Sequence, residues 1–559
     1  MQRIFLKLHS SEQKSLPYLA VFLSVLILTQ PVTAQLNLNV PEEDPAYEQL
    51  RLLLSTFSQQ SDVFSTKPLS RGQFSRAILL GGLAYKKASQ NRQGVVPHSL
   101  FYLAKRFRKD LKKMADGHTA PWRLQFFDRM KLDFINLQGK SRALPDPRID
   151  AILQPFTRET ADRKIVDGQN VAFESRHWLA AGHFASLFYQ GRLLLSNPRA
   201  KNGLQQNLDY ETLRLHVIFS MKNLNLLIGK DSMVWGPGAG GNLSLSGNAA
   251  PIGSFQTFPL VKLSNRHPVK LPWIFKGLGP MRFVVFVSQL EKHRRDFNRP
   301  WYIGQRLNFK PGKTTEFGLS HTFILGGKNF PSSFTFWDAL AEFFFIRIKQ
   351  NFIFNKDFGE IRPEDNIGNH FMGVDFSKQF PGLSFSTIYG EIYTEDIHFN
   401  YDRSIHDDVG FHGGIYIPNL LQNNKVSLRL EGTHTPSLFY VGSAPFLSGQ
   451  VFNQKILGSN LGPSGNEFFL KTTFRPGKTI SLAVENRFQS RGVGKHATPE
   501  FIGTPNEKRY EVRTIFRKWI NNHLNMKLDL GYQRVIDFNH RSGKNQNDYF
   551  TGLSIEMSR

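Results

Sequence analysis

Two stretches of this chain carry residue types able to grip a sugar or an anion. The first is Trp235-Gly236-Pro237-Gly238. Its glycines permit positive φ and close backbone approach, and Pro237 fixes φ and donates no backbone hydrogen bond. Such a block ends a strand and folds a loop sharply. Trp235 could stack on a sugar ring, pack inside a folded-in loop, or sit at a membrane interface. The second stretch is Lys292-His293-Arg294-Arg295, followed by Arg299 and Trp301, between the apolar runs 281–290 and 301–309. Arginine holds a carboxylate or sulfate with two parallel hydrogen bonds, and an aromatic ring beside it can stack a sugar or a cation. The alternative is a rim turn whose cations meet anionic lipid heads. Trp235, Arg294, Arg295, Arg299 and Trp301 are the candidate ligand residues.

The chemistry of catalysis is absent at the level of motif. There is no Gly-x-Ser-x-Gly elbow and no His-Glu-x-x-His, and Gly492-Val493-Gly494-Lys495-His496 lacks the Ser or Thr that a phosphate loop places after Lys. Glu391, Glu395 and Asp396 invite comparison with the paired carboxylates of glycoside cleavage. In an alternating strand, however, 391 and 395 share a face and 396 does not, so they are expected to be lumen or rim acids. The 17 histidines are scattered without ligand spacing. Zero cysteines exclude a disulfide scaffold, a zinc ribbon and a thiol nucleophile. No catalytic residue, metal or cofactor is expected.

The opening segment sets the compartment. Arg3, Lys7 and Lys14 precede an apolar run of 13 residues, Leu16 to Leu28, and then Pro31-Val32-Thr33-Ala34. A helix crossing a bilayer needs about 20 residues. The segment therefore reads as a secretory signal peptide, residues 1–34, cut after Ala34, in preference to a membrane anchor. The formal charge is +25, and removal of three Lys/Arg and one Glu with the signal leaves +23. For an exported protein that excess points to anionic glycans or lipid head groups and away from nucleic acid.

The elements that must position these residues change character along the chain. Residues 40 to about 116 have helical spacing. Acids at Glu42, Glu43 and Asp44 suit a helix start, Ser70 is placed to cap a second helix, and a third over 99–114 carries a run of Lys and Arg. From about 119 the period becomes 2, as in Leu524, Met526, Leu528, Leu530 and Tyr532 alternating with Asn525, Lys527, Asp529, Gly531 and Gln533. A soluble half-buried sheet gives the same alternation. Three features favour a membrane barrel: segments of about 9–12 residues, aromatics at their ends (Trp301-Tyr302, Phe343-Phe344-Phe345, Phe468-Phe469, Tyr549-Phe550), and asymmetric connections. The Phe-Lys/Arg-Pro-Gly-Lys formula at 309–313 and 474–478, echoed at 380–382, suits type II turns. The connections 238–256, 394–408, 434–465 and 490–507 are long. At roughly 20–25 residues per strand and connection, the expectation is an all-β transmembrane β-barrel of about 18 antiparallel strands over 119–559, behind a small α-helical periplasmic domain over 35–118.

The stretch Gly229-Lys230-Asp231-Ser232-Met233-Val234-Trp235-Gly236-Pro237-Gly238, continuing to Leu243-Ser244-Leu245-Ser246 and Asn248-Ala249-Ala250-Pro251, resembles the Wzi-type capsule assembly family. Pro68-Leu69-Ser70-Arg71-Gly72, the run 302–309, Gly373-Val374-Asp375-Phe376 with Asn366, and the run 389–396 are similar to further pieces of that family, in the same order. The resemblance implies an outer-membrane barrel acting as a non-enzymatic surface lectin that holds capsular polysaccharide or exopolysaccharide. The expected partners are outer-membrane lipid, an acidic surface polysaccharide, and a periplasmic or export partner for the helices. A substrate-specific porin, a barrel enzyme and a soluble exported β-protein are the rival readings; a conducting lumen would mark the porin.

Overall fold

The computed structural model describes residues 37–56, 64–89, 98–116, 122–156, 165–199, 207–255, 257–270, 277–330, 336–343, 368–395, 408–420, 425–442, 446–477, 479–493, 499–521 and 523–558. The signal segment, Asp396 and Lys495-His496 lie outside the described residues.

Eighteen strands close into one antiparallel barrel. They are β1 (Trp122–Gln138), β2 (Gly168–Ala181), β3 (Ala185–Pro198), β4 (Asn207–Met221), β5 (Leu224–Lys230), β6 (Leu260–Asn265, continued by Val269–Lys270), β7 (Pro280–Gln289), β8 (Trp301–Gly312) and β9 (Thr315–Leu325). The second half comprises β10 (Gly368–Phe380), β11 (Ser386–Glu395), β12 (Val409–Ile417), β13 (Val426–Thr435), β14 (Gly465–Phe474), β15 (Ile480–Arg491), β16 (Glu507–Trp519), β17 (Leu524–Ile536) and β18 (Gln546–Ser558). β18 pairs with β1 from Tyr549↔Gln138 to Ser558↔Arg129, so no strand edge is left open. Strands β1–β4 run 14–17 residues, longer than expected, and Arg123 near the start of β1 contacts Asp110 of the helical segment at 2.7 Å.

Period 2 follows from what each face meets. Phe173, Leu195, Leu319, Phe376, Ile392, Phe468, Val512 and Leu530 point outward and are exposed. Many of the inward positions on the same strands are buried and charged, as in Arg306 with Asp375 at 2.7 Å and Arg429 with Glu431 at 3.1 Å. An apolar exterior around a polar lumen inverts a soluble sheet and matches a bilayer outside. The aromatic doublets divide in the same way. Trp301, Phe468 and Tyr549 lie on the outer face, while Tyr302, Phe469 and Phe550 are buried inside. Phe343 ends a short helix, Phe336–Phe343, that packs beside Phe323 and Leu325, so it marks no strand end.

The connections alternate short and long. All four long ones expected from the sequence fall on one rim, though residues 396–407 of the second lie outside the description. The Pro-Gly formula marks short turns correctly but not their type. Gly312, Gly382 and Gly477 lack the positive φ that a type II turn requires. After Phe380 the chain makes one 3-10 turn, and Ser384 and Phe385, with φ of 51° and 58°, supply the left-handed steps.

Four helices lie at the short-turn rim: α1 (Ala46–Thr56), α2 (Arg71–Ser89), α3 (His98–Arg106) and α4 (Arg108–Asp116). Ser70 caps α2 as expected. Its hydroxyl accepts from the Gln73 N–H at 3.2 Å, and the Gln73 side chain accepts from the Ser70 N–H at 2.8 Å, a reciprocal capping box. The expected third helix is two. It breaks at Phe107, whose buried ring stacks on Phe74 at 5.1 Å. Leu50, Leu53, Phe74, Leu103 and Phe107 share one core with Trp519, which seats the helices on the end of β16.

Candidate functional site

The lumen is filled from both ends. From the short-turn side, residues 37–45 and 64–70 enter it. Glu42 and Glu43 reach Arg214 of β4 at 2.9 and 3.0 Å, and Asp44 reaches Arg176 of β2 at 3.1 Å. From the long-loop side, residues 231–259 fold inward. Val234 and Trp235 pair antiparallel with Lys67 and Thr66 of the entering segment. The Leu243 N–H donates to Glu391 at 2.8 Å, and the Ala239 N–H donates to Glu431 at 2.8 Å. Glycine is needed here because a Cβ on Gly238 would stand 2.6 Å from Nε2 of His412. Residues 436–442 and 446–464 fold over this loop, with the Tyr440 hydroxyl donating to the Leu243 carbonyl at 2.6 Å and accepting from the Ser459 N–H at 2.9 Å.

Trp235 is 0% exposed. Its ring packs edge-on against Phe286 at 5.6 Å, with the Arg306 guanidinium 6.0 Å away. It has no free face on which a sugar could lie, so its place is in the packing of the folded-in loop. Glu391 and Glu395 both face the lumen and are buried; Glu395 accepts from Asn369 at 3.1 Å.

The basic stretch lies on the long-loop rim and divides by burial. Arg294 is buried and binds Asp296 at 3.0 Å, the Val451 carbonyl at 2.7 Å and the Gly449 carbonyl at 2.9 Å. It ties the 290–300 loop to the 436–464 loop. Asp296 also accepts from the N–H groups of Phe297 and Ser448, at 2.7 and 3.0 Å. Burial alone would raise its pKa, but Arg294 and these donors hold it below the usual carboxylate range. Arg295 points outward with 49% of its side chain exposed, 3.4 Å from Asp150 of a third loop. The Asp150 N–H donates to the Ser448 carbonyl at 3.1 Å, so three loops meet beneath Arg295. Lys292 and His293 are exposed beside it, and Arg299 is half-buried at a φ of 55°. Lys328, also exposed, joins the same rim through its N–H to the Asn298 carbonyl at 2.8 Å. Nothing in the sequence links Lys328 or Asp150 to Arg295, because only closure of the barrel brings their loops together. Trp301 lies apart from this cluster. It starts β8 on the outer face, edge-on to Phe258 at 4.9 Å, a position suited to the lipid interface.

The structure thus gives a rigid rim with outward-facing cations above a blocked lumen, and among the described residues no three His, Cys, Asp or Glu side chains converge as metal ligands. A closed barrel with an apolar exterior, a charged lumen and one rim of long loops is an outer-membrane β-barrel. The chain belongs to the capsule assembly protein Wzi family, whose model matches residues 154–549. That match bears out the resemblance carried by the Trp235-Gly236-Pro237-Gly238 block. Its structure is similar to that of Wzi of Escherichia coli, described as an outer membrane protein involved in group 1 capsule assembly and a carbohydrate binding β-barrel. The TM-score is 0.61 at 16% identity, covering 94% of this chain and 100% of that one. At that identity the likeness shows the fold. OprD of Pseudomonas aeruginosa (TM-score 0.38, 10% identity, 77% of this chain and 93% of that one) and OccAB4 of Acinetobacter baumannii (0.39, 6%, 79% and 99%) are too distant to carry an argument. No curated protein matches the chain in sequence.

Proposed function

We propose that this protein binds capsular polysaccharide or exopolysaccharide at the cell surface through its long-loop rim, without catalysis and without conducting through its lumen. The observation that carries the proposal is the cluster of exposed cations Lys292, Arg295 and Lys328, with Arg299 beside them, on loops cross-tied by Arg294 and Asp296. Rigid donors bind at lower entropic cost than mobile ones. Clustered Arg and Lys above a low-dielectric rim favour an acidic glycan. Family membership and the Escherichia coli protein's description as a carbohydrate binding barrel support the same assignment. In this proposal Arg295 and Arg299 contact the glycan, Arg294 positions their loop, Trp235 fastens the folded-in loop, and Trp301 anchors the rim in lipid.

The long-loop rim then faces the medium and the helices face the periplasm, where the exposed cations Lys105, Arg108, Lys109 and Lys112 offer a surface to an export partner. Residues 1–34 serve as the signal peptide, 35–118 as the periplasmic domain and 119–559 as the barrel. The test is polysaccharide retained by intact cells. Deletion of the gene is expected to release it. The wild-type gene should restore retention, and a Lys292→Gln/Arg295→Gln/Lys328→Gln variant present at normal levels in the outer membrane should not. Full retention by that variant would count against the proposal.

A further inference from the structure

Between α1 and the folded-in 236–241 segment the lumen keeps a cavity of about 570 Å³. Arg475 and Asn525, at the short-turn ends of their strands, line it, and Glu48 on its wall keeps 42% of its side-chain surface toward this space. A space of that size is in the range of about 300–1,000 Å³ that holds small ligands.

The charges around it do not balance. Nine Lys and Arg against seven Asp and Glu line it, the cations including Arg51 of α1 and five wall residues, Arg429, Lys471, Arg475, Arg517 and Lys527. Four of these have carboxylate partners: Arg429 with Glu431 at 3.1 Å, Lys471 with Glu485 at 2.9 Å, Arg475 with Glu48 at 3.0 Å and Lys527 with Asp529 at 3.2 Å. Among the described residues, Arg51 and Arg517 have no carboxylate within ion-pair distance. The acids that act on these two cations do so from beyond contact and hold other partners: Glu48, near Arg517, holds Arg475 at 3.0 Å, Glu556, also near Arg517, holds Arg129 at 2.8 Å, and Glu431, near Arg51, holds Arg429 at 3.1 Å. Burial, with Arg429 adding to it, lowers the Arg51 pKa to about 10 against the raising effect of Tyr389, Tyr416 and Glu431.

The strand register makes the excess sharper. Arg429 stands directly across from Lys471, and Arg517 directly across from Lys527. Like charges at directly opposed positions destabilise a sheet, yet two such pairs line one cavity. Tyrosine rings hold the guanidinium groups in place. Arg429 lies 4.6 Å from the centroid of Tyr416 and 5.4 Å from that of Tyr389, and Arg51 lies 6.0 Å from the Tyr416 centroid.

We propose that this cavity is an anion-binding site, opening on the short-turn side, for a carboxylate or phosphate carried on a molecule no larger than a small sugar or a lipid head group. The anion sits between Arg51 and Arg517, supplying the contact carboxylate or phosphate oxygen that neither guanidinium has. This site is separate from the surface rim, and its test does not depend on polysaccharide binding.

The experiment is calorimetric titration of the purified protein in neutral detergent with glucose 1-phosphate, glucuronate, inorganic phosphate and glucose. A parallel arm measures sedimentation with phosphatidylglycerol or phosphatidylcholine vesicles. The anionic probes are expected to bind and glucose is not. Arg51→Gln/Arg517→Gln should weaken binding at least tenfold, while Arg541→Gln, at an exposed cation of the opposite rim outside both proposed sites, leaves it unchanged. Removing two like charges that have ring contacts but no carboxylate in contact should leave the ligand-free melting temperature equal or higher, whereas loss of a merely structural contact would lower it. Binding confined to phosphatidylglycerol vesicles and lost in the double variant would identify a lipid head group as the source of the anion. Binding of glucose as tightly as glucose 1-phosphate, binding unchanged in the double variant, or no binding of any anionic probe would overturn the proposal.

Discussion

Asp44 shows how single residues hold the two parts of the molecule together. Its carboxylate accepts from Arg106 of α3 at 2.7 Å, from Arg176 of β2 at 3.1 Å and from the Ala46 N–H at 2.9 Å. Burial would raise its pKa, but Arg106 and Arg176 hold it well below the ordinary value. A lowered folded-state pKa stabilises at pH values above the unfolded value of about 3.9, and that contribution fades as pH falls through the folded value. Asp44→Asn is therefore expected to destabilise the protein by about 3–5 kcal/mol at pH 7, the usual cost of breaking a buried pair. The difference from wild type should shrink below about pH 4; unfolding in detergent across pH 2–7 measures it. The sequence showed part of this residue's role. Acids at 42–44 suit a helix start, and Asp44 does accept from the first turn of α1. Its lumen partner Arg176 lies 132 positions away and is visible only once the barrel closes. The same limit applies to Arg294 and Arg295. As neighbours in sequence they look equivalent, yet one is buried beneath three loops and the other is half exposed.

At the scale of elements, alternation identifies the strands because one face meets lipid and the other a charged lumen, two environments that select opposite residue types. Turn type was less legible. Pro-Gly marks where a chain reverses, but the strand ends decide which residue takes the left-handed step. The break between α3 and α4 was hidden because the run of basic residues continues across Phe107, whose ring turns into the helical core. That Trp235 packs inside a folded-in loop was one of the readings open in the sequence, but what the loop packs against was not legible, since its partners Glu391, Glu431 and Tyr440 come from other strands and loops. The tight fit at Gly238 gives a prediction for this element. Gly238→Val places atoms against Asn242 and His412, so it is expected to cost about 1–3 kcal/mol of overpacking and to increase proteolysis within 231–259, read by unfolding and limited digestion. Asp296→Ala removes the partner of buried Arg294 and the acceptor of two loop N–H groups. It is expected to loosen the rim by about 3–5 kcal/mol locally, seen as faster hydrogen exchange in 290–300 and 446–452 with little change in the barrel strands.

For the whole molecule, the filled lumen and the exposed cationic rim assign different tasks to the two ends of one barrel. Residues 37–45 and 64–70 block the lumen from one end and the 231–259 and 436–464 loops from the other, so single-channel recordings in planar bilayers are expected to show no stable open conductance. The proposed surface for polysaccharide is then the long-loop rim. The most direct test is binding of the host's purified acidic surface polysaccharide to the purified protein, measured at low and high salt for the wild type and for Lys292→Gln/Arg295→Gln/Lys328→Gln. Binding that weakens with salt, and that falls roughly tenfold or more in the variant, about 1.4 kcal/mol, is the predicted result. No binding by the wild type, or binding indifferent both to salt and to the loss of the three cations, would contradict it.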